Sequence, residues 1–578
     1  MSTADGSLKF EYVAVHKRGN LHIFSRKLEL YPTRPSRYLF LIVVVLSTII
    51  LYYQQYVAGA VGPSIIAYYH ISFKFYVNIT VIASIAGAVA SLIAGLADRW
   101  GRANIVVFGL LAASLVTFFG VPHATNSIEF GSFAAIVGFI EGLVLVATPA
   151  LVRDFSPQTG RGAAVGFWTL GPVMASLVVS EVSSHTLNHL HAWQDQYTIA
   201  GSVGLFIFII ALFGLRELKP ELRDQLMVSL KSRKLIELKV NNIDVATALK
   251  HPWKQMTQLN IALPALAVSV FLLIYYAAVG FFVVYFVSVF GFSEAQGNGL
   301  GNWFWAVDAI GVVVIGIISD RIRVRKPLML IGALVAIVMT IIFLSKATEP
   351  NTTYSTFVVI ISILSGSRAV AYSPWMTAFS ETIESRNPAL VATGLAIWGW
   401  ILRVVVAVSF LIVPYVVTSA TTLVTYGQTA KLYLNEYPSQ IKTAQAIDAT
   451  TRAELRANSK NTVAIFKAIS EIKSNEHVSS AIAIKDLIAL RNVPKPVLTF
   501  LDAHGTAVQN ASKAAPHEWQ RWWWVCVGGE IFFVPTIFLL KGRWRPKTAK
   551  QDIVNYEAAL EKELTAMAFN RTPEIGSL

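Results

Sequence analysis

Five charged side chains fall inside long apolar runs of this chain: Glu141, Asp308, Arg368, Arg403 and Glu530. Facing lipid unpaired, each would cost several kcal/mol, so three acids and two arginines in such runs point to chemistry or to deliberate pairing. A buried carboxyl can exchange a single proton with whichever side is open to water, which makes Glu141 the first and Asp308 the second candidate proton carrier. Arg368 and Arg403 keep their charge at any physiological pH and suit clamping of a carboxylate or phosphate. The competing reading is structural: Asp308 and Glu530 neutralise both arginines and leave an apolar cavity. Gln54, Gln55, Tyr53, Tyr275, Tyr276 and Trp398 thicken the candidate substrate site, because aromatic walls with a few polar groups describe many ligand pockets. Helix packing and interfacial belts use the same residue types.

The elements that must position these groups are membrane spans. Hydrophobic residues make up 54% of the 578 residues and charged ones only 14%, with a mean hydropathy of +0.55. A soluble core could not hide that much apolar side chain. Many apolar runs reach the roughly 20 residues that cross a bilayer core, and the pattern predicts an all-α polytopic protein of twelve spans. These are expected near 38–66, 75–97, 103–121, 131–152, 162–184, 197–215, 260–290, 298–319, 327–345, 355–379, 389–415 and 521–540. The first run is too long for a cleaved signal, so residues 1–37 are expected to stay attached as an arm.

Orientation follows from Lys and Arg. They crowd the arm (Lys9, Lys17, Arg18, Arg26, Lys27, Arg34, Arg37) and the segment after the sixth span (Arg216, Lys219, Arg223, Lys231, Arg233, Lys234). Both segments are therefore expected in the cytoplasm, as are both termini, in the plasma (inner) membrane. The net charge of +14 reads as orientation and contact with anionic lipids rather than nucleic-acid binding. The lone Cys526 allows no internal disulfide. His185, His189 and His191 have spacing that could hold a metal but read better as a solvated loop. No catalytic triad, phosphate loop or dinucleotide fingerprint stands in a suitable context, so no catalytic residue, metal or cofactor is expected and the chain is not read as an enzyme.

The chain repeats itself. Asp98-Arg99-Trp100-Gly101-Arg102 lies between spans 2 and 3, and Asp320-Arg321-Ile322-Arg323 occupies the equivalent loop 222 positions later; Pro149 and Pro374, like Arg161 and Arg386, are 225 apart. Parallel six-span halves with a site between them are a common transporter plan. A carboxylate beside arginines at a helix end can bond to a neighbouring helix end, so Asp98, Arg99, Gly101, Arg102, Asp320 and Arg321 are candidate cytoplasmic gate residues.

On those loops the chain resembles a major facilitator superfamily transporter of bacterial type, over roughly four fifths of its length. Ala94 stands where that family usually has the first Gly, and Arg323 where the second copy would carry the later one. Gly171-Pro172 is similar to a family motif associated with antiporters, with Ala175-Ser176 in place of two glycines, and Gly138 replaces an Arg often found in span 4. The resemblance implies two six-helix bundles working by alternating access, with spans 1, 4, 7 and 10 lining the cavity. Glu141 and Arg368 would then be its foremost residues.

The resulting division is an arm at 1–37, a bundle at 38–216, a cytoplasmic linker at 217–258, spans 7–11 at 259–417, an extracytoplasmic helical insertion at 418–519, span 12 at 520–541 and a tail helix at 542–578. In the insertion, Val463, Phe466, Ile469, Ile472, Leu487, Ile488 and Leu490 recur at helical spacing and read as its own core, with a last helix near 497–513. The expected function is secondary active transport of a small organic anion, coupled to protons or another ion, by a monomer whose partners are its solute and lipids. Export of amphipathic or drug-like compounds by antiport is the alternative. In a different class stands a transporter-like sensor acting through an extracytoplasmic protein partner.

Overall fold

The computed structural model describes residues 26–92, 101–156, 168, 170–190, 192–219, 222, 251–322, 324–387, 390–542, 544–546, 551 and 558. Among them, 11 helices are long and apolar enough to cross a membrane. Span 5 is described only over Gly171–Thr186, 16 residues, because most of the preceding stretch lies outside the described residues. Residues 1–25 of the expected arm, most of the expected linker and most of the expected tail helix also lie outside them.

Span 1 runs Arg34–Ala60, and the expected continuation to residue 66 bends at Val61 into a short helix, Gly62–Tyr68. Pro63 has no N–H for the Gly59 carbonyl, which interrupts the ladder. Span 7 is likewise two pieces, Leu259–Phe271 and Leu273–Phe290. It stops at Gly291, whose φ of 61° suits a left-handed cap. Span 12 belongs to one helix, Thr506–Thr536, continuous through Pro516. The separate helix expected near 497–513 is instead a short piece, Lys495–Phe500, followed by a π turn running into this long helix.

Small residues set how closely the spans cross. A Cβ at Gly138 would overlap the Ala83 carbonyl, and one at Gly142 the Gly87 carbonyl, so span 4 lies backbone-to-backbone on span 2. That contact explains the Gly at 138: there is no room for an arginine. In the second half, Gly332 of span 9 lies against span 10, where a Cβ would come within 2.7 Å of the Ser367 carbonyl oxygen. Bulk is concentrated elsewhere, in an aromatic stack of Phe282, Tyr285, Phe343, Trp519 and Trp523 that joins spans 7, 9 and 12.

Between spans 11 and 12, helices from Gln428 to Phe500 gather around a second apolar cluster, separate from the main core, that includes Ala468, Ile472, Ala483, Leu487 and Leu490. Part of the expected stripe points the other way. Val463 and Phe466 are 74% and 73% exposed, because small Ala464 and Ala468 occupy the packed face of their helix and admit a close neighbour there. Ile488 is 57% exposed for the same reason, with Ala483 and Leu487 facing inward.

Gly138→Val should force spans 2 and 4 apart and destabilise the protein by about 1–3 kcal/mol. The purified variant should show a lower thermal unfolding midpoint. Gly399→Ala, at a glycine with nothing within 4 Å, should leave the midpoint unchanged.

Candidate transport site and gates

The five membrane-embedded charges separate into two groups. Asp308, Arg368 and Glu530 belong to the second half. Arg368 is only 2% exposed; its Nη1 lies 3.9 Å from Asp308 Oδ1, and its guanidinium sits 5.2 Å from the Tyr275 ring centre and 5.4 Å from that of Phe304. Its Nε and Nη1 have no hydrogen-bond partner. Glu530 accepts a 2.8 Å hydrogen bond from Thr340 and interacts electrostatically with Arg368. Asp308 is thus the acid paired with Arg368, while Glu530 adds its charge from further off, the group being held by spans 8, 9, 10 and 12.

Glu141 and Arg403 form the other group, on opposite halves. Glu141 is buried on span 4, Arg403 is solvent-accessible on span 11, and the two charges interact. Tyrosines from both halves converge on them. Tyr52 interacts with Glu141, Tyr276 and Arg403, and Tyr56 with Glu141, Tyr275 and Tyr276. Tyr275 packs edge-on to Tyr276 and to Trp305, each at 5.1 Å. A pocket between the halves, lined by Tyr56, Ser176, Ser180, Asn298 and Trp305 among others, continues from this cluster.

The remaining expected site residues distribute by helix face. Gln54 points away from the seam, into the first half: its amide donates to Ser114 Oγ at 2.8 Å and to the Ala200 carbonyl at 3.4 Å. Tyr53 is buried beside it in sequence with an unpaired hydroxyl. Gln55 is half-buried and lies one helical turn from Tyr52, on the seam side. Trp398 packs on Trp375 of span 10 at 5.5 Å, its indole N–H unpaired. His185 contacts Glu181 on its own helix at 3.5 Å.

At the end of the bundle that carries the repeated loops, Asp98 and Arg99 lie outside the described residues. Gly101 precedes span 3 with a φ of 92°, a conformation that favours glycine. Arg102 donates to Asp154 at the end of span 4, at 2.7 Å. The second half repeats the device: Arg325 bonds Asp320 at 2.9 Å, Glu381 at the end of span 10 at 3.2 Å and Ser319 at 2.7 Å. Arg321 is exposed. Asp154 and Glu381, 227 positions apart where the arginines are 223 apart, were not among the residues expected at these loops.

A clasp not anticipated from the sequence braces the first half at this end. Lys27–Leu28 pairs in parallel with Glu217–Leu218. Arg26, 1% exposed, donates to Asn104 Oδ1 at 3.1 Å and to the Leu212 carbonyl at 2.5 Å, satisfying the bare carbonyl end of span 6. The Glu217 carboxylate accepts from the Ala103 N–H at 3.3 Å and fills the space that a side chain at Gly101 would need. Lys219 holds the Glu29 carboxyl below its ordinary range through a 2.5 Å bond.

The opposite end, from which the 418–519 segment emerges, is sealed between the halves. Glu294 of span 8 accepts from Ser64 N and Oγ at 2.6 and 2.7 Å; Asn298 donates to the Ala60 carbonyl at 2.9 Å; Asn302 donates to Ser184 at 3.0 Å. Gly59 brings span 1 directly onto the Val279 carbonyl of span 7.

Two parallel helical halves, sealed to one another at one end and presenting charges from both across a seam, define a membrane transporter rather than an enzyme. The chain belongs to the Major Facilitator Superfamily, whose family model matches residues 44–410. It superimposes on a bacterial homologue of the human lysosomal transporter Spinster, in its inward-facing and unoccupied conformation, with a TM-score of 0.58 at 15% identity, covering 89% of this chain and 100% of that one. A D-xylose–proton symporter aligns with a TM-score of 0.50 at 15% identity over 69% of this chain and 97% of that one. In sequence, the niacin transporter NiaP of Acinetobacter baylyi is 33% identical over 138 residues, 23% of this chain and 30% of that protein. The multidrug resistance protein MdtL of Shewanella oneidensis is 29% identical over 164 residues, 28% and 38% respectively. The chain thus aligns with about a third of the length of these two relatives.

Arg368→Met should leave Asp308 and Glu530 buried without their counter-charge and cost about 3–5 kcal/mol. Thermal unfolding of the purified variant should show the loss, and adding Asp308→Asn and Glu530→Gln should recover most of it.

Proposed function

We propose that the chain moves a small organic anion together with a proton across the plasma membrane, with the repeated-loop end in the cytoplasm and the 418–519 segment outside. The observation that carries this reading is that exposed Arg403 of one half lies within electrostatic reach of buried Glu141 of the other, with no direct ion pair between them. Arg368, by contrast, already faces Asp308 at 3.9 Å. Charged Glu141 competes with a substrate carboxylate for the same guanidinium. Protonated Glu141 gives it up. Anion and proton therefore bind together and leave together, and the loaded site carries no more net charge across the membrane than the empty one. Tyr52, Tyr56, Tyr275 and Tyr276 supply ring faces and hydroxyls to the body of the solute. The niacin transporter among the relatives accords with a small solute.

Export of amphipathic compounds is the second reading. It is favoured by the same tyrosine-rich seam, and a multidrug resistance protein stands among the relatives.

Proteoliposomes with an imposed pH gradient test the assignment. Glu141→Gln should lose at least about tenfold of gradient-driven accumulation while keeping anion exchange, because a permanently neutral side chain leaves Arg403 free. Arg403→Ala should lose both. Unaltered flux in the two variants would sink the proposal, whereas proton-driven efflux of neutral amphipathic compounds would favour the second reading.

A further inference from the structure

The segment after span 11 does more than lead into an appended group of helices. Span 11 ends at Val416, and the next residues are fixed by one carboxylate. Glu518, on the long helix that becomes span 12, accepts from Thr418 N and Oγ1 at 3.0 and 2.7 Å and from Ser419 N and Oγ at 2.9 and 2.6 Å. From that anchor the chain crosses to the other half. Thr421 Oγ1 accepts the Phe73 N–H at 2.8 Å, at the first residue of span 2, where the backbone N–H has no partner within its own helix. Leu423–Gly427 then packs on Gly62–Tyr68, the short helix that carries Ser64. Next, Lys431 donates to the carbonyl of Gly291, the cap of span 7, at 3.0 Å. At the end of span 11, Tyr415 receives Lys74 of span 2 over its ring at 4.4 Å.

These contacts lie beside the hydrogen bonds that seal the halves at this end, Ser64 to Glu294 and Asn298 to Ala60. Opening that end carries Gly62–Tyr68 and the start of span 2 away from spans 7 and 8. It must also break Phe73 from Thr421 and Lys74 from Tyr415. Meanwhile Glu518 and Gly291 keep the segment on the second half.

We propose that residues 418–431 form a strap of the gate at this end, rooted on the second half and closed on the first, through which the helices from Gln428 to Phe500 bias the balance between the two conformations. The strap requires alternating conformations but neither the anion nor the proton. Its test is accordingly independent of the solute.

The experiment uses the full chain in lipid nanodiscs with Cys526→Ala and one reporter cysteine at a time. Val179→Cys reports the pocket at the strap end, where Val179 is 4% exposed and lines the cavity between the halves. Gly399→Cys reports the seam one turn from Arg403. Thr421→Val keeps the side-chain shape and removes the acceptor. It should raise maleimide labelling at position 179 by about two- to tenfold, the equivalent of one hydrogen bond, and lower it at position 399, with the thermal midpoint unchanged. Lys74→Gln should act in the same direction. Labelling that rises at both positions, or a lowered midpoint with both variants, would mean general loosening and overturn the proposal, as would no change at either position.

Discussion

The membrane interior offers no water to a stranded polar group, and the rest of this structure depends on how that constraint is met. Every charge and every backbone group in the spans must find its partner in protein or in a cavity. Asp308, Arg368 and Glu530 balance charge within one half, with Arg368 Nε and Nη1 still unpartnered, and can stay together whatever the halves do. Glu141 and Arg403 feel one another across the seam. Relative motion of the halves changes their separation, and hence what each of them needs. The pairing of Arg368 with Asp308 inside the second half is not exposed to that change.

Close backbone approach has the same origin. Helices gain little from burying apolar surface when the surrounding lipid is itself apolar, so contact is won by fit. Gly138 and Gly142 against span 2, and Gly332 against span 10, fix spans within a half. Gly59 against Val279 does so between the halves, at the sealed end. The first kind of contact makes each half rigid. The second is reinforced, among the described residues, by a few hydrogen bonds, through Glu294, Asn298, Asn302 and Thr421, and so remains breakable.

Hydropathy made most of the spans legible, and the repeat of the acidic-basic loop made the two halves legible, because both depend on composition over long windows. Which face of a span looks where was not legible. Gln54 and Gln55 are adjacent and chemically identical, yet about 100° of helix rotation sends the first to Ser114 and the second toward the seam. The same uncertainty hid Glu294, which stands at a span end where a carboxylate ordinarily meets water. Arg26 was counted only as one positive charge among many in the arm; that it would be buried at the end of span 6 depends on the strand pair with Glu217–Leu218, two residues long and without any periodic signature. In the 418–519 segment, apolar periodicity picked out Ile472, Leu487 and Leu490 of the packed faces but also Val463 and Phe466, which lie outside, because the packed sides use Ala464, Ala468 and Ala483 as well.

The two ends of the bundle are built on different logic, and the difference has a consequence for the cycle. Arg102 with Asp154, and Arg325 with Glu381, tie each loop to its own half. Among the described residues these ion pairs stay within a half and need not break when the halves move apart. At the strap end the bonds themselves run between the halves, so Ser64, Phe73 and Glu294 each lose a partner on separation. Water entering from that side must replace those partners, and water reaches them only as the end opens. Opening there therefore breaks these bonds together. A bond made in only one of the two conformations shifts their balance by its own free energy, whereas a bond kept in both shifts nothing.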